Sequence, residues 1–539
     1  MAARLNDAGG SMGIEYVDDL PTFVRAEEKQ RPRWVWDHTP SWYPALLAEG
    51  VRVERCFDLR LCHAILRFST LTADSALAKA EPGVWDAPAA TLQRPDDGGA
   101  LFELPSAQEQ PVAGDADPLA EYSLQRAAVA ASAEPGRIGR LLAAESAGAL
   151  IAAEMRFAGL PWRADRHDEI LTGILGPRPA VEGERPAKLQ EILATVRESL
   201  DSPDLNPDSP ADLLKALGAA GLGVTSTRSW ELKKLKHPAI GPLLEYKTLA
   251  RLLSANGWHW LDTWVADGRF RPDYVPGGVV TGRWATSGGG ALQLPRQIRG
   301  AVVADEGWKL VVADASQLEP RILAAMAGDR GMVAAGTAGD LYAGIVASGA
   351  VETRDQAKVA MLGAMYGATT GESGRLMPKL ARAYPKAIGM VEDAARAGER
   401  GEVVTTRLGR SSPPGLQAGY DESRSEAETT RAREQARAWG RFTRNFIVQG
   451  TAAEWALCWM ASIRRRLNEQ AGGAWLTAGP HLVFFLHDEV VVHTPAGQAE
   501  AVAETIRAAA AEAGTLLFGA IPVEFPLTIA IVDDYGKAK

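Results

Sequence analysis

The sequence predicts a multidomain α/β protein, and three stretches carry that prediction. In KLVVADASQLEPRILAAMAGD (309–329) an apolar run, Leu310 to Ala313, stops at Asp314, and a short polar turn opens into an alanine-rich helical pattern. Asp314 is therefore expected at the tip of a buried strand. In VFFLHDEVVVHTP two β-rich runs, Val483 to Leu486 and Val490 to Val492, flank His487, Asp488 and Glu489, which reads as a hairpin with acids at its turn. Between them, Arg354, Lys358, Leu362 and Tyr366 recur every four residues, a row that drifts about 40° per step around a helix. Two cations, an aliphatic side chain and an aromatic share that face.

Two carboxylates brought together by sheet elements far apart in sequence suit two-metal phosphoryl transfer. Magnesium takes hard oxygen ligands, and two ions about 3.5 to 4 Å apart stabilise both the attacking and the leaving oxygen. Asp314 and the turn acids Asp488 and Glu489 are the candidate ligands.

Composition bounds the rest. At 539 residues, 46% hydrophobic and 23% charged, the chain can hold several cores, and it has no apolar run long enough to span a bilayer. The opening MAARLNDAGGSMGIEYVDDL lacks the basic start and apolar segment of a signal peptide, so a cytoplasmic address is expected, with no membrane partner. Cys56, Cys62 and Cys458 have no metal-ligand spacing and make no disulfide framework. A net charge of −9 taken alone opposes nucleic-acid binding, but distribution matters more than the sum. Arg433, Arg437, Arg441 and Arg444 follow at four, four and three residues on one helical face, and Arg464 to Arg466 form a further cluster. A solvated helix face is the usual reading of such a stripe. Here it runs into a segment of chemical interest.

These pieces, in this order, resemble the family A DNA polymerases, the group of bacterial DNA polymerase I. Asp314 to Arg321 is similar to the family's first catalytic motif, Arg354 to Gly367 to its nucleotide-binding helix, and His487-Asp488-Glu489 to its last motif. The resemblance implies a right-hand polymerase of palm, fingers and thumb, preceded by a degenerate, ribonuclease H-like 3′→5′ exonuclease domain. The implied segments are 1–135 for the exonuclease-like domain, 136–280 for a helical thumb, 281–325 for the first palm segment, 326–424 for fingers and 425–539 for the second palm segment.

In chain order, residues 33–68 read as strand, helix, strand, helix, with Asp37 near the nuclease's second acidic motif and Asp58 at a later strand end. An Asp-x-Glu on a first strand is absent, and Arg126 stands four residues after Tyr122 where an Asp belongs, so an inactive domain is expected, with Asp37 a surface or capping residue. Ala80 to Asp117, rich in Pro, Asp, Ala and Gly, reads as a long loop. A helix is expected from Gly136 to a stop near Gly159, another in 205–222, and a helical pair beyond Thr225. Lys233, Lys234, Lys236 and Lys247 would grip duplex backbone there. Thr281-Gly282-Arg283 is similar to the motif whose Arg contacts the primer–template, while the stretch after Gln293 departs from it. A polar connector (405–428) precedes a long helix carrying Arg441, Asn445 and Gln449 to Glu454, and Phe525 to Val532 closes the palm sheet. No 5′ nuclease module is read in the chain.

The resemblance implies that Asp314 and Asp488 hold two magnesium ions, for which manganese can substitute, with Glu489 secondary, tuning the site or the primer end. Arg354 and Lys358 would neutralise the triphosphate, Lys358 also acting as general acid, and Gln317, Leu362 and Tyr366 would border the nucleotide, with Tyr366 supporting the templating pair. Arg283, Arg441, Asn445, Gln449 and His487 would contact DNA. Glu319 would exclude ribonucleotides, and Ser316 with Glu319 also fits a capping box. Gly363 and Gly367 would keep the helix face low for a base. Partners are then primer–template DNA and deoxynucleoside triphosphates, acting on a monomer that joins the bacterial nucleoid when bound to DNA. Departures are Ala315, Pro320 and Leu362, and Tyr342 near an expected phosphate-contacting His. Rival readings are a single-subunit RNA polymerase, which Glu319 opposes, a metal-dependent nuclease, and a decayed DNA-binding scaffold.

Overall fold

Strand, tip and helix form around Asp314 because the apolar run has nowhere else to go. In the computed structural model, Trp308–Ala315 is a strand whose Leu310 to Ala313 are buried on both faces, and Leu318–Ala327 is the helix that follows. A strand covered on both sides reads as a continuous apolar run rather than an alternating one. The described residues are 1–6, 9–87, 116–181, 183–337, 339–368, 371–415 and 426–538. Most of the expected loop of 80–117 and the centre of the connector of 405–428 lie outside them.

The chain forms two compact units. The first comprises Met1–Ala158, Asp273–Ser287 and Val311–Ile529; the second comprises Gly159–Pro272, Gly288–Leu310 and Ala530–Lys539.

The first unit holds most of a four-stranded sheet, in the order His481–Leu486, Glu489–Pro495, Trp308–Ala315, Leu527–Val532. The expected hairpin is present: His481–Leu486 and Glu489–Pro495 pair antiparallel, Leu486 opposite Glu489. His481–Leu486 lies at the edge, where outward amide groups need partners. Tyr274 supplies them, its hydroxyl donating to the Phe485 carbonyl (2.6 Å) and accepting from the Phe485 N–H (3.0 Å). The long helix Glu426–Gln470 packs against Pro385–Glu399, Ala499–Phe518 and Pro135–Ala158, burying Trp455 and Trp459 completely.

The N-terminal region follows the expected alternation: Arg33–Trp36, helix Thr39–Ala48, Arg55–Asp58, helix Leu59–Phe68, with the two strands parallel. A hairpin of Ala2–Leu5 and Ser11–Glu15 precedes them. It escaped the sequence because its second strand is exposed throughout and carries no buried face. Val24, Trp36, Tyr43, Leu46 and Leu47 share one core with Leu150 and Leu476. Asp58 is buried and accepts from the Thr39 N–H and hydroxyl (both 2.7 Å) and from the Leu61 N–H (3.1 Å). Asp37 is half-buried and accepts from the Trp42 indole at 2.6 Å.

The second unit is largely helical, with Ala164–Leu175, Ala187–Ser199, Pro210–Ala219 and Ile240–Asn256. The expected helix of 205–222 starts where the Ser209 hydroxyl accepts from the Asp212 N–H (3.3 Å). Only one full helix, Ile240–Asn256, fills the place of the expected pair; its predecessor is the single turn Ser229–Leu232, because Pro238 interrupts the run. Trp162, Trp260 and Phe270 interlock with ring centroids 5.0 to 5.8 Å apart. Lys233, Lys234 and Lys236 are exposed, and Lys247 is half-buried. Among the described residues no helix is long and apolar enough to cross a membrane.

Candidate active site

The hairpin needs a two-residue turn, and His487-Asp488 is that turn, with His487 at φ 60°. The Ala315 N–H donates to the Asp488 carbonyl at 2.9 Å. That one bond makes the backbones of Asp314 and Asp488 neighbours. Ala313 and Ala315 are buried, and Asp314 between them is half-buried, as alternation along a strand requires. Asp488 is half-buried and Glu489 buried. Among the described residues no cluster of three or more His, Cys, Asp or Glu side chains forms a cage for a metal ion. Two carboxylates with backbone carbonyls beside them are the donor set that magnesium accepts when substrate oxygens and water complete its shell, so these residues fit that ion.

Just past Asp314, Gln317 adopts φ 56° and starts the Leu318–Ala327 helix without a side-chain cap. The expected capping box therefore does not form. The Ser316 hydroxyl pairs instead with Thr528 at 3.2 Å, and Glu319 faces other partners. Arg283 donates to Glu319 at 2.5 Å, and the Tyr366 hydroxyl donates to it at 3.0 Å. Gln449 donates to the Tyr366 hydroxyl at 3.1 Å. Burial first, then the Glu319 charge, raises the Tyr366 phenol above its ordinary value. Burial and then the Arg283 charge lower the His487 imidazole, against Glu319. Gly282, at φ +84°, lies against the Arg410 guanidinium, where a Cβ would collide.

Asp340 is a second meeting point. It accepts from Gln317 Nε2 (2.7 Å), Arg354 Nε (2.7 Å) and the N–H groups of Tyr342 (2.9 Å) and Ala343 (3.2 Å). Burial pushes its carboxyl up, but the bonds from Arg354 and Gln317 outweigh it and the net shift is downward. Tyr342 is buried beneath Arg354, with the guanidinium carbon 5.5 Å from its ring centroid, so it supports the arginine from below.

The Arg354–Tyr366 helix forms as the spacing predicts. Thr353 caps it, Ala357, Ala360, Met361 and Ala364 are buried, and Arg354, Lys358, Leu362 and Tyr366 are all exposed. The glycines act differently from expectation. Gly363 is buried, and a Cβ there would strike the Ser373 hydroxyl, so it permits helix packing. Gly367, at φ +74°, ends the helix and lies against Arg441.

The arginine stripe divides. Arg433, Arg437 and Arg441 are exposed, but Arg444 is buried, donating to the Ala364 carbonyl (3.1 Å) and pairing with Glu392. Arg464 is buried against Glu154, and Arg465 and Arg466 pair with Glu512, so that cluster is neutralised internally. Asn445 is half-buried, and its side-chain oxygen meets no donor among the described residues. The sequence missed Asp340 altogether; an Asp directly before a helical pattern signals an N-cap but not its long-range partners.

Residues 181–532 match the model of DNA polymerase family A. The chain is 28% identical over 369 residues to the thermostable DNA polymerase I of Thermus thermophilus, covering 61% of this chain and 41% of that protein. It is 28% identical over 336 residues to DNA polymerase I of Chloroflexus aurantiacus, covering 56% and 33%. The chain thus matches less than half the length of these curated relatives. Its fold is similar to the polymerase domain of Pol1 from M. smegmatis, solved in complex with a DNA primer–template and dNTP, with a TM-score of 0.69 and 19% identity over 96% of this chain and 88% of that one. At that identity the likeness establishes the mixed α/β polymerase fold.

Proposed function

The chain belongs to DNA polymerase family A, and from that membership we propose that it is a template-directed DNA polymerase acting on primer–template DNA and deoxynucleoside triphosphates. One observation carries the reading to these residues. Both ends of the exposed Arg354–Tyr366 face are tied to the segment that follows Asp314, Arg354 through Asp340 to Gln317 and Tyr366 directly to Glu319. These ties support a reading in which the cationic face serves the carboxylates of Asp314 and Asp488.

In the reaction, the primer 3′-hydroxyl gives up its proton to solvent as its oxygen attacks the α-phosphorus, the bond from that phosphorus to the bridging oxygen breaks, and pyrophosphate leaves with that oxygen. Asp314 and Asp488 would hold the divalent ions, magnesium or manganese, which would supply charge stabilisation to the attacking and leaving oxygens. Arg354 and Lys358 bind the triphosphate, and Lys358 protonates the departing pyrophosphate, a role worth about 10² to 10⁴ in rate. Glu319, held by Arg283 and Tyr366, closes the space beside the sugar. Leu362 borders the same face, and Arg283, Arg441, Asn445, Gln449 and His487 line the path of the duplex. Residues 1–135 act as an exonuclease-like remnant without proofreading, 136–280 as thumb, 281–325 and 425–539 as palm and 326–424 as fingers. That Asp58 is consumed in capping and Asp37 in the Trp42 bond supports the loss of nuclease chemistry.

The test is extension of a labelled primer with magnesium or manganese, using deoxy- and ribonucleotides in parallel. Extension with deoxynucleotides only, lost by about 10³-fold or more in Asp488→Ala, is expected. Primer–template binding without extension under either metal would leave a DNA-binding scaffold instead.

A further inference from the structure

We propose that Asp340 is a positioning residue for the incoming nucleotide, holding Arg354 by its Nε so that the rest of the guanidinium is presented to the triphosphate. The inference rests on the polymerase reading above and extends it to a residue outside the acids and the cationic helix.

An exposed arginine carries rotamer entropy that binding must otherwise remove. Here that freedom is restricted before any ligand arrives. Asp340 takes Arg354 Nε on one carboxylate oxygen, while its other oxygen accepts from Gln317 and from the N–H groups of Tyr342 and Ala343. Three donors on one oxygen hold the carboxylate in place, so it cannot follow the arginine. Its own turn is held as well. The buried Arg321 donates to the carbonyls of Gly336 (3.0 Å) and Gly339 (2.5 Å), the residue directly before Asp340. Of the five guanidinium N–H groups only the Nε–H is directed at Asp340, which leaves the Nη edge to meet phosphate oxygens in its planar fork. Gln317 completes the geometry. It lies three residues past Asp314, so the same carboxylate that aims Arg354 is referenced to the strand tip bearing the catalytic acid.

A latch is the opposite arrangement, in which Asp340 occupies Arg354 until phosphate displaces it. The two differ in sign. Single-nucleotide incorporation at varied dNTP concentration, with purified protein on a primer–template, separates them. Asp340→Asn keeps a side-chain oxygen for the helix N-terminus but loses the charge-assisted grip on Arg354. The expected result is a KM for dNTP raised about tenfold, kcat changed less than about threefold, and unchanged melting temperature and primer–template Kd. In an Arg354→Ala background the same substitution is expected to add no further rise in KM. If D340N lowers the melting temperature, Asp340→Ser, which also caps, reads the same quantity. A KM that stays constant or falls in D340N, or an effect that persists undiminished without Arg354, overturns the inference alone. Failure of the unaltered protein to extend any primer overturns the polymerase reading and this inference together.

Discussion

The two ends of the long Glu426–Gln470 helix put the same residue type to opposite uses. Toward its start, Arg433, Arg437 and Arg441 stand exposed in one row. Toward its finish, Arg464 donates to both Glu154 oxygens (2.9 and 2.7 Å) and to the Glu54 carbonyl (2.6 Å), while Arg465 and Arg466 close on Glu512. Arg52 and the Tyr43 hydroxyl also donate to Glu154. A helical period places cations on a face, but acids delivered from other regions of the chain decide whether that face greets solvent or a buried partner. Among the described residues, the first group shows no acid partner.

The comparison can be broken most severely at Glu154. Glu154→Gln strands the buried Arg464 guanidinium and the half-buried Arg52 guanidinium without their counter-charge, and a loss of about 3 to 5 kcal/mol in denaturant unfolding is expected. Burial would raise the Glu154 carboxyl, but Arg464 and Arg52 hold it down to about 2. Its contribution is therefore present above the unfolded carboxylate value and is lost as pH falls toward 2.

Midway along the same helix, Glu454 behaves in the opposite sense. Burial raises it to about 7, against hydrogen bonds from the Thr406 hydroxyl and the Leu408 N–H. A raised carboxyl stabilises below its unfolded value and loses that contribution as pH climbs through 7. Unfolding followed at pH 6 and pH 8 is expected to differ by about 1 kcal/mol on this account, favouring pH 6, and the difference should vanish in Glu454→Gln. An unchanged difference in that variant would remove Glu454 as its source.

The smallest effect on stability belongs to the exposed end. Replacing Arg433, Arg437 and Arg441 together by Gln should alter unfolding by less than about 0.5 kcal/mol. The same variant should weaken primer–template binding and reduce the slope of log affinity against log salt by about 2 to 3, near 0.9 for each phosphate no longer neutralised. A salt slope equal to that of the unaltered protein would show that the stripe meets no phosphate.

Much of the site was legible because its signals are local. An apolar run ending on Asp314, two β-rich runs around His487-Asp488-Glu489 and a four-residue row from Arg354 each report a period or a break that neighbouring residues alone impose. The misreadings share a different cause. Ser316 and Glu319 have capping-box spacing, but the positive φ of Gln317 delays the helix start to Leu318 and frees Glu319 for Arg283 and Tyr366. Gly363 shows no local sign that Ser373 sits against it, and Arg444 none that Glu392 awaits it.

By itself, then, the order of residues determined the strand tips, the hairpin turn, the helix face and the exposed cations upon it, since backbone period and burial of apolar runs follow from chemistry within a few residues. Tertiary structure alone decided which charges are spent and which remain. Asp340 reaches Arg354 across 14 residues, Glu319 reaches Tyr366 across 47 and Glu154 reaches Arg464 across 310. A charge costs free energy to bury unless a partner meets it, and partners at such separations are chosen by the packing of whole elements, which no local pattern records.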